Sequence, residues 1–297
     1  MKSYTQQLRP TKRITPIIKS LLESHVKSNV PDKNVALLLS GGIDSITAGL
    51  SAHNVGKQVH AYSFFLDGDV SYDFLRATEV AHKMGWKFTP VVVPKTNLIE
   101  DWYKLVELRC RKKTHFECVF PFLYVYPEIK EKYVVTGWGA DGYFCVSKKA
   151  TMRYSSPEKY KKHLEWCKDN NAKPTTFNEY RNHYFSKGEC AGLDVHNKVV
   201  SIYNKIHCTP YLDSQVSKHL MSMSYDQLND GEQKGYIRKD FTELKKFGII
   251  KKHINLHLGS GVDKLFETLL NNSEINFNNR KRMMDVCKDW YNGILPI

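Results

Sequence analysis

The chain reads Val35-Ala36-Leu37-Leu38-Leu39-Ser40-Gly41-Gly42-Ile43-Asp44-Ser45. Its first five residues form a continuous apolar run, which is typical of a strand buried on both faces of a parallel sheet. The glycines interrupt this pattern, and the residues from about Asp44 to Asn54 favour a helix. A glycine turn before a helix can close around an anion, because the helix start presents free N–H groups and a positive dipole end. We therefore predict a phosphate-binding loop at Ser40–Ser45, in which Asp44 holds Mg²⁺.

The segments around this loop alternate between strand and helix patterns. A helix is predicted before it at residues 14–26, and further strands are predicted at 59–65, 88–93 and 133–136, with helices at 72–84 and 98–109. This alternation indicates right-handed crossovers and a parallel sheet. From about Ser156 onward helical patterns dominate, and no strand is predicted. We expect a helical lead-in at 1–34, an α/β lobe at 35–155 and a helical lobe at 156–297.

Composition excludes several classes of protein. The chain has 297 residues, of which 41% are hydrophobic, and this proportion argues against a disordered protein. No apolar stretch approaches the roughly 20 residues that span a bilayer, and the first residues lack the apolar core of a signal peptide. We therefore expect a cytoplasmic protein with no membrane partner. Seven cysteines are dispersed singly, which favours reduced thiols over a disulfide framework or a zinc site.

The charge balance points to anionic partners. The formal net charge is +13, and such an excess attracts ATP, pyrophosphate or nucleic acid. The basic residues are spread along the whole chain and form no long tail. Charge alone therefore does not select nucleic acid over a nucleotide.

The glycine loop resembles the pyrophosphatase loop of the N-type ATP pyrophosphatases, the PP-loop superfamily, and it lacks the Gly-Lys-Ser ending of a Walker loop. Further segments resemble the synthetase domain of asparagine synthetases and of β-lactam synthetase. In family order these are a helix that ends at Val30-Pro31, then Thr136-Gly137-Trp138-Gly139-Ala140-Asp141, Pro210-Tyr211-Leu212-Asp213 and Lys234-Gly235-Tyr236-Ile237-Arg238-Lys239-Asp240-Phe241. The resemblance implies an α/β parallel-sheet lobe of the adenine nucleotide alpha hydrolase-like, HUP-type fold and a mainly helical C-terminal lobe.

The resemblance also implies a reaction and its cofactors, ATP and Mg²⁺. Enzymes of this superfamily split ATP between the α- and β-phosphates, so that AMP is placed on the substrate carboxylate and pyrophosphate is released. By resemblance, Asp44 and Asp141 hold Mg²⁺ against the pyrophosphate. The implied nucleotide contacts are Leu38, Ser63 and Phe64 at the adenine, Ser40, Gly41, Gly42 and Ser45 at the leaving phosphates, and Thr136 and Gly137 at the ribose and α-phosphate.

Attack by a carboxylate on the α-phosphorus develops negative charge, which nearby cations would stabilise. The candidates for this catalytic role are Lys234, Arg238, Lys251 and Lys252. Trp138 and Gly139 are expected to line the substrate pocket.

The sequence departs from the family at the residues of the second half-reaction. Trp138 stands where asparagine synthetases carry a glutamate base, and an indole cannot act as a base. Gly142, Ile206 and Cys208 replace a family acid, glutamate and arginine. Three explanations stay open: the base comes from His207, His253 or His257, the nucleophile needs little help, or amidation is not completed.

The nitrogen source is a further expectation. The glutamine-hydrolysing domain of asparagine synthetase is not recognised, because Lys2 rather than a cysteine follows Met1. An amide-forming enzyme of this kind would use free ammonia, a partner glutaminase or a substrate amine.

Three functions are compatible with these observations. The leading interpretation is an AMP-forming ligase that adenylates a small-molecule carboxylate for attack by ammonia or an amine. The first alternative is a PP-loop enzyme that modifies tRNA or DNA through an adenylated intermediate, which the positive charge favours. The second is a non-catalytic nucleotide-binding relative, which the missing bases suggest.

Overall fold

The computed structural model describes residues 17–110, 112–186, 192–248 and 259–265. The predicted parallel α/β fold is confirmed, since five parallel strands form one sheet in the order β3-β2-β1-β4-β5. The strands are β1 (Asn34–Leu38), β2 (Gln58–Leu66), β3 (Lys87–Val93), β4 (Tyr133–Val135) and β5 (Ile206–Cys208). From β1 the chain adds β2 and β3 on one side of the sheet and then crosses to add β4 and β5 on the other side. The switch point therefore lies between β1 and β4, and parallel sheets bind ligands at such a point.

Helices cover the sheet and fill the C-terminal part of the described chain. They are α1 (Ile18–Asn29), α2 (Ile43–Asn54), α3 (Tyr72–Met84), α4 (Leu98–Glu107), α5 (Lys113–Val119), α6 (Phe122–Glu128), α7 (Ala140–Phe144), α8 (Lys148–Tyr154), α9 (Pro157–Asp169), α10 (Phe177–Ser186), α11 (Leu193–Ile202), α12 (Ser214–Met221), α13 (Tyr225–Leu228) and α14 (Gly235–Asp240). Among the described residues, 3₁₀ turns occupy Pro210–Leu212 and Thr242–Phe247. Within the described ranges no helix is long and apolar enough to cross a membrane.

The central strand separates two hydrophobic cores. Val35, Leu37 and Leu39 belong to one core, which they share with α1, α2 and α3. Ala36 and Leu38 belong to the other, which they share with α4, α5, α6 and α11. Successive side chains of a strand point to opposite faces, so the unbroken apolar run of β1 buries both faces, as the sequence predicts.

Local sequence explains where α3 begins and ends. The Ser71 side chain accepts a hydrogen bond from the Phe74 backbone N–H at 3.2 Å, which satisfies one of the unpaired donors of the first turn. Gly85 ends the helix in the left-handed conformation, with φ of 65°. These caps fix the two ends of α3.

The expectation that no strand follows residue 156 is wrong. Ile206–Cys208 pairs with β4 as an edge strand, and the Thr136 backbone N–H donates to the Cys208 carbonyl oxygen at 3.0 Å. Three residues are too few to show a period-two pattern, and an edge position leaves Ile206 exposed. The strand exists because distant residues supply its hydrogen bonds.

Candidate active site

The phosphate loop lies between β1 and α2, and its own hydroxyl groups shape it. The Ser40 and Ser45 Oγ atoms lie 3.1 Å apart, and the Ser45 hydroxyl donates to the Gly42 carbonyl oxygen at 3.0 Å. No side chain caps α2 at Gly42. The first N–H groups of this helix therefore face the loop, as anion binding requires.

Gly41 is required by its backbone and by its surroundings. Its φ is +72°, a region that side chains rarely adopt, and an added Cβ would lie 2.7 Å from the Arg76 Cβ. The start of α3 thus packs directly against the turn. The sequence prediction of a glycine turn is confirmed in its geometry.

Gly137 lets the loop after β4 approach the phosphate loop. A Cβ at this position would lie 2.4 Å from the carbonyl carbon of Asp44 and 2.6 Å from the Ser45 nitrogen. Only a residue without a side chain allows this contact. The close approach brings the segment that carries Asp141 to the start of α2.

Asp44 and Asp141 meet at one cation that the chain itself supplies. The Lys234 Nζ lies 2.5 Å from Asp44 Oδ2 and 2.6 Å from Asp141 Oδ1. Lys234 is only 2% exposed. Burial opposes its charge, but Asp141 and Asp44 outweigh burial and raise the pKa of Lys234 above its ordinary value. Lys234 is therefore an ammonium between two carboxylates and not a solvated surface lysine.

This arrangement fits the predicted Mg²⁺. The ammonium is a stand-in cation, and it shows that both carboxylates can direct oxygens at a single positive centre. No group of three or more His, Cys, Asp or Glu residues that could hold a metal occurs in the described part of the chain. Since Mg²⁺ takes six oxygen ligands, Asp44 and Asp141 would share it with water and phosphate oxygens.

The predicted site residues line one cavity of about 500 Å³. They are Leu38, Ser40, Gly41, Gly42, Asp44, Ser45, Ser63, Phe64, Thr136, Gly137, Trp138, Gly139, Asp141, Lys234 and Arg238. Arg238 is held in the wall, because its Nε donates to the Gln233 carbonyl oxygen at 3.1 Å and lies 3.2 Å from Glu232 Oε2. The predicted roles of Lys251 and Lys252 fall outside the described residues, as do those of His253 and His257.

Sequence reasoning missed part of the cavity wall. Helices α3, α5 and α10 contribute residues that belong to no motif: Tyr72, Asp73, Arg76, Thr114, His115, Cys118, Tyr180 and Tyr184. Ser260 also lines the cavity. The helical residues reach the cavity only through tertiary packing.

The departures from the family have structural reasons. A side chain at Gly142 would lie 2.3 Å from a ring carbon of Tyr184, so the family acid has no room there. Trp138 packs against the rings of His196 and Phe122, with centroids 4.4 and 6.1 Å away. This end of the cavity therefore has an aromatic wall where the family carries acids.

The family model described as "Asparagine synthase" matches residues 18–190, which is more than half of the chain. Among solved structures, the chain is similar to the predicted subunit of a tRNA methyltransferase from Methanocaldococcus jannaschii, at 12% identity and a TM-score of 0.34. That match covers 75% of this chain and 94% of the other. A likeness this distant has no bearing on function, and none of the curated proteins matches the chain.

Proposed function

The chain belongs to the asparagine synthase family, and from this premise we propose that it is a ligase that activates a carboxylate by cleaving ATP to AMP and pyrophosphate. Membership indicates an ATP-dependent enzyme of the PP-loop class. The proposal adds the second half-reaction, in which ammonia or an amine attacks the adenylate and forms an amide. The substrates would be a small-molecule carboxylate and a nitrogen donor, supplied free or by a partner glutaminase.

One observation supports the proposal most. Asp44 and Asp141 come from two separate motifs, yet both hold the Lys234 ammonium beside the phosphate loop. Carboxylates would repel the phosphates of ATP unless a cation lies between them. A protein that only bound a nucleotide would gain nothing from two such carboxylates, so the pair favours an enzyme over a non-catalytic relative.

The described site residues would have separate roles in the first half-reaction. The phosphate loop offers backbone N–H groups and the hydroxyls of Ser40 and Ser45 to the β- and γ-phosphates. The Lys234 ammonium would stabilise charge as the carboxylate oxygen bonds to the α-phosphorus and pyrophosphate departs. Mg²⁺ bound by Asp44 and Asp141 would neutralise charge on the leaving pyrophosphate.

The test is ATP–pyrophosphate exchange in the presence of Mg²⁺. The protein would be incubated with a panel of carboxylates that includes aspartate, glutamate and aryl-substituted acids. We expect exchange with at least one acid and AMP as the nucleotide product. Asp44→Asn and Asp141→Asn should each lower exchange more than about 10²-fold, whereas Asp226→Asn, at an exposed residue outside the cavity wall, should leave it intact. Release of ADP, or undiminished exchange by Asp44→Asn, would contradict the proposal.

A second candidate is favoured by charge. The net charge of +13 suits a nucleic-acid substrate, in which a base or carboxylate would be adenylated. Binding to tRNA and duplex DNA over a range of salt concentrations would separate the two candidates. Tight, salt-sensitive binding together with AMP release only when nucleic acid is present would select the second.

A further inference from the structure

Resting on the proposed ligase function, we propose that Thr136, His207 and Asn197 form a hydrogen-bonded relay that removes the proton from the attacking nitrogen in the second half-reaction. In this relay Thr136 contacts the nucleophile, and His207 is the positioning residue that receives the proton through it. The relay would stand in for the glutamate that Trp138 replaces.

The three residues form a continuous chain of hydrogen bonds. Thr136 follows β4 and lines the cavity, and its Oγ1 lies 2.9 Å from His207 Nε2. His207 lies on the neighbouring strand β5, and its Nδ1 lies 2.8 Å from Asn197 Oδ1 on α11. The edge strand missed in the sequence therefore places an imidazole directly behind the cavity wall.

The partners fix the direction of each hydrogen bond. The Asn197 carbonyl oxygen can only accept, so His207 carries its proton on Nδ1 and leaves Nε2 as an acceptor. The Trp138 backbone N–H donates to Thr136 Oγ1 at 3.4 Å. The Thr136 hydroxyl therefore donates to His207, and its remaining lone pair can accept a proton from the cavity.

Solvent exposure increases along the relay from Thr136 to Asn197. Thr136 is 2% exposed, His207 is half-buried and Asn197 is exposed. Burial lowers the pKa of His207 to about 4, which leaves its ring neutral and able to accept. The adjacent imidazole, His196, has its ring centroid 4.7 Å away, and burial also lowers the pKa of His196. A proton that reaches His207 thus meets no cationic histidine and has a path to solvent.

Two other histidines among the described residues lie close to this end of the cavity. His196 Nε2 bonds to the Tyr126 hydroxyl at 2.8 Å, so it is engaged away from the cavity. His115 does line the cavity, on α5, and is the competing base. The two hypotheses differ in which substitution affects nitrogen transfer.

The proton balance of the step is simple. The nitrogen lone pair bonds to the carbonyl carbon of the adenylate, and the bond from that carbon to the AMP oxygen breaks, with its electron pair leaving on AMP. The nitrogen gives a proton to Thr136 Oγ1 while the Thr136 hydroxyl proton passes to His207 Nε2. The imidazolium then releases the Nδ1 proton to solvent. A weakly basic acceptor suffices, because the nitrogen becomes acidic once it has bonded to the acyl carbon.

The test separates the two half-reactions in the full-length protein. Exchange of pyrophosphate reports adenylation, and amide formed from ammonia reports nitrogen transfer, both with the acid of the panel that gives the fastest exchange. His207→Gln keeps an oxygen that can accept from Thr136 but cannot take a proton. We expect it to lower the amide rate about 10²-fold, in kcat rather than KM, and to leave exchange within twofold.

Two controls distinguish proton transfer from a structural role. Thr136→Ser retains the hydroxyl and should keep the ratio of amide to exchange, whereas Thr136→Val should lower that ratio as far as His207→Gln does. Hydroxylamine is a stronger nucleophile that is unprotonated at neutral pH, so it should restore product formation by His207→Gln.

The outcomes are distinct. If the wild type catalyses exchange and His207→Gln forms amide at the wild-type rate, the relay is wrong but the ligase proposal stands. The same conclusion follows if His115→Gln loses amide formation and His207→Gln does not. Absence of exchange in the wild type with every acid would overturn the ligase proposal, and the relay with it.

Discussion

The hydroxyl of Tyr211 lies 2.6 Å from Thr47 Oγ1 in the interior of the protein. Tyr211 stands in the Pro-Tyr-Leu-Asp segment, and its hydroxyl is hydrogen-bonded to a residue of α2. Thr47 Oγ1 also donates to the Ile43 carbonyl oxygen at 2.8 Å, and it therefore accepts from Tyr211. One buried hydrogen bond thus ties the helix of the phosphate loop to a segment far along the chain.

This pair can be tested with a double-mutant cycle. Thr47→Val leaves the Tyr211 hydroxyl buried without an acceptor, which should reduce the free energy of unfolding by about 1–3 kcal/mol. Tyr211→Phe leaves Thr47 its bond to Ile43 and should cost only about 0.5–1.5 kcal/mol. We expect the double variant to lose less than the sum, as measured by urea denaturation. Strict additivity would show that the two hydroxyls do not interact.

The second prediction concerns the ion cluster at Lys234. Lys234→Met leaves two carboxylates facing each other without their buried cation, which should destabilise the fold by about 3–5 kcal/mol. Mg²⁺ should then stabilise the variant more than the wild type, because the ammonium no longer competes for Asp44 and Asp141. The measurement is the midpoint of thermal unfolding during a Mg²⁺ titration.

Lys239→Met is the matched control for that titration. Lys239 is on α14, the helix that Lys234 directly precedes, but it pairs with Asp230 at the exposed surface. Its loss should change stability by less than about 1 kcal/mol and leave the Mg²⁺ response unchanged. An equal Mg²⁺ response in Lys234→Met and the wild type would count against a shared cation site.

The third prediction compares two neighbouring glycines. Gly41→Ala combines a positive φ with a contact of 2.7 Å to the Arg76 side chain, so we expect a lower melting temperature and loss of ATP binding. Gly42→Ala meets nothing nearer than the Ser40 Oγ at 3.4 Å and has φ of −77°, so it should fold normally. Equal melting temperatures for the two variants would mean that the turn relaxes more easily than its packing indicates.

The fourth prediction is a pH dependence at the amino-terminal half of β2. Glu131 accepts hydrogen bonds from the Tyr62 hydroxyl at 2.8 Å and from His60 Nδ1 at 2.7 Å. Burial would raise the pKa of Glu131, but these bonds outweigh it and hold the pKa below its ordinary value. The carboxylate therefore stabilises the fold above an unfolded-state pKa of about 4.3, and this contribution disappears as pH falls through the folded-state pKa.

Glu131→Gln provides the comparison for this pH dependence. The difference in free energy of unfolding between the wild type and the variant should be largest near pH 7 and should shrink below about pH 4. Urea denaturation at a series of pH values measures it. If the difference in free energy of unfolding stays constant down to acidic pH, the contribution of Glu131 comes from the packing of its side chain and not from its charge.

Much of the fold could be read from local pattern. The apolar run of β1 and the alternation that follows it predict the parallel sheet, because burial on both faces and period-two or helical spacing are properties of neighbouring residues. Boundaries moved by a residue or two, as for β2, which runs over Gln58–Leu66 instead of the predicted 59–65. The three residues of β5 could not be predicted, since their pairing partner lies on β4.

The sequence by itself determined the glycine loop, its place between a strand and a helix, and the residue types able to handle phosphates and Mg²⁺. The tertiary structure alone decided that Lys234 lies between Asp44 and Asp141 and that His207 lies behind Thr136. Helix and strand patterns depend on near neighbours, whereas ion pairs and hydrogen bonds between distant segments depend on how the whole chain packs. For this reason the motifs indicated a chemistry, and the fold assigned its cation and its candidate proton acceptor.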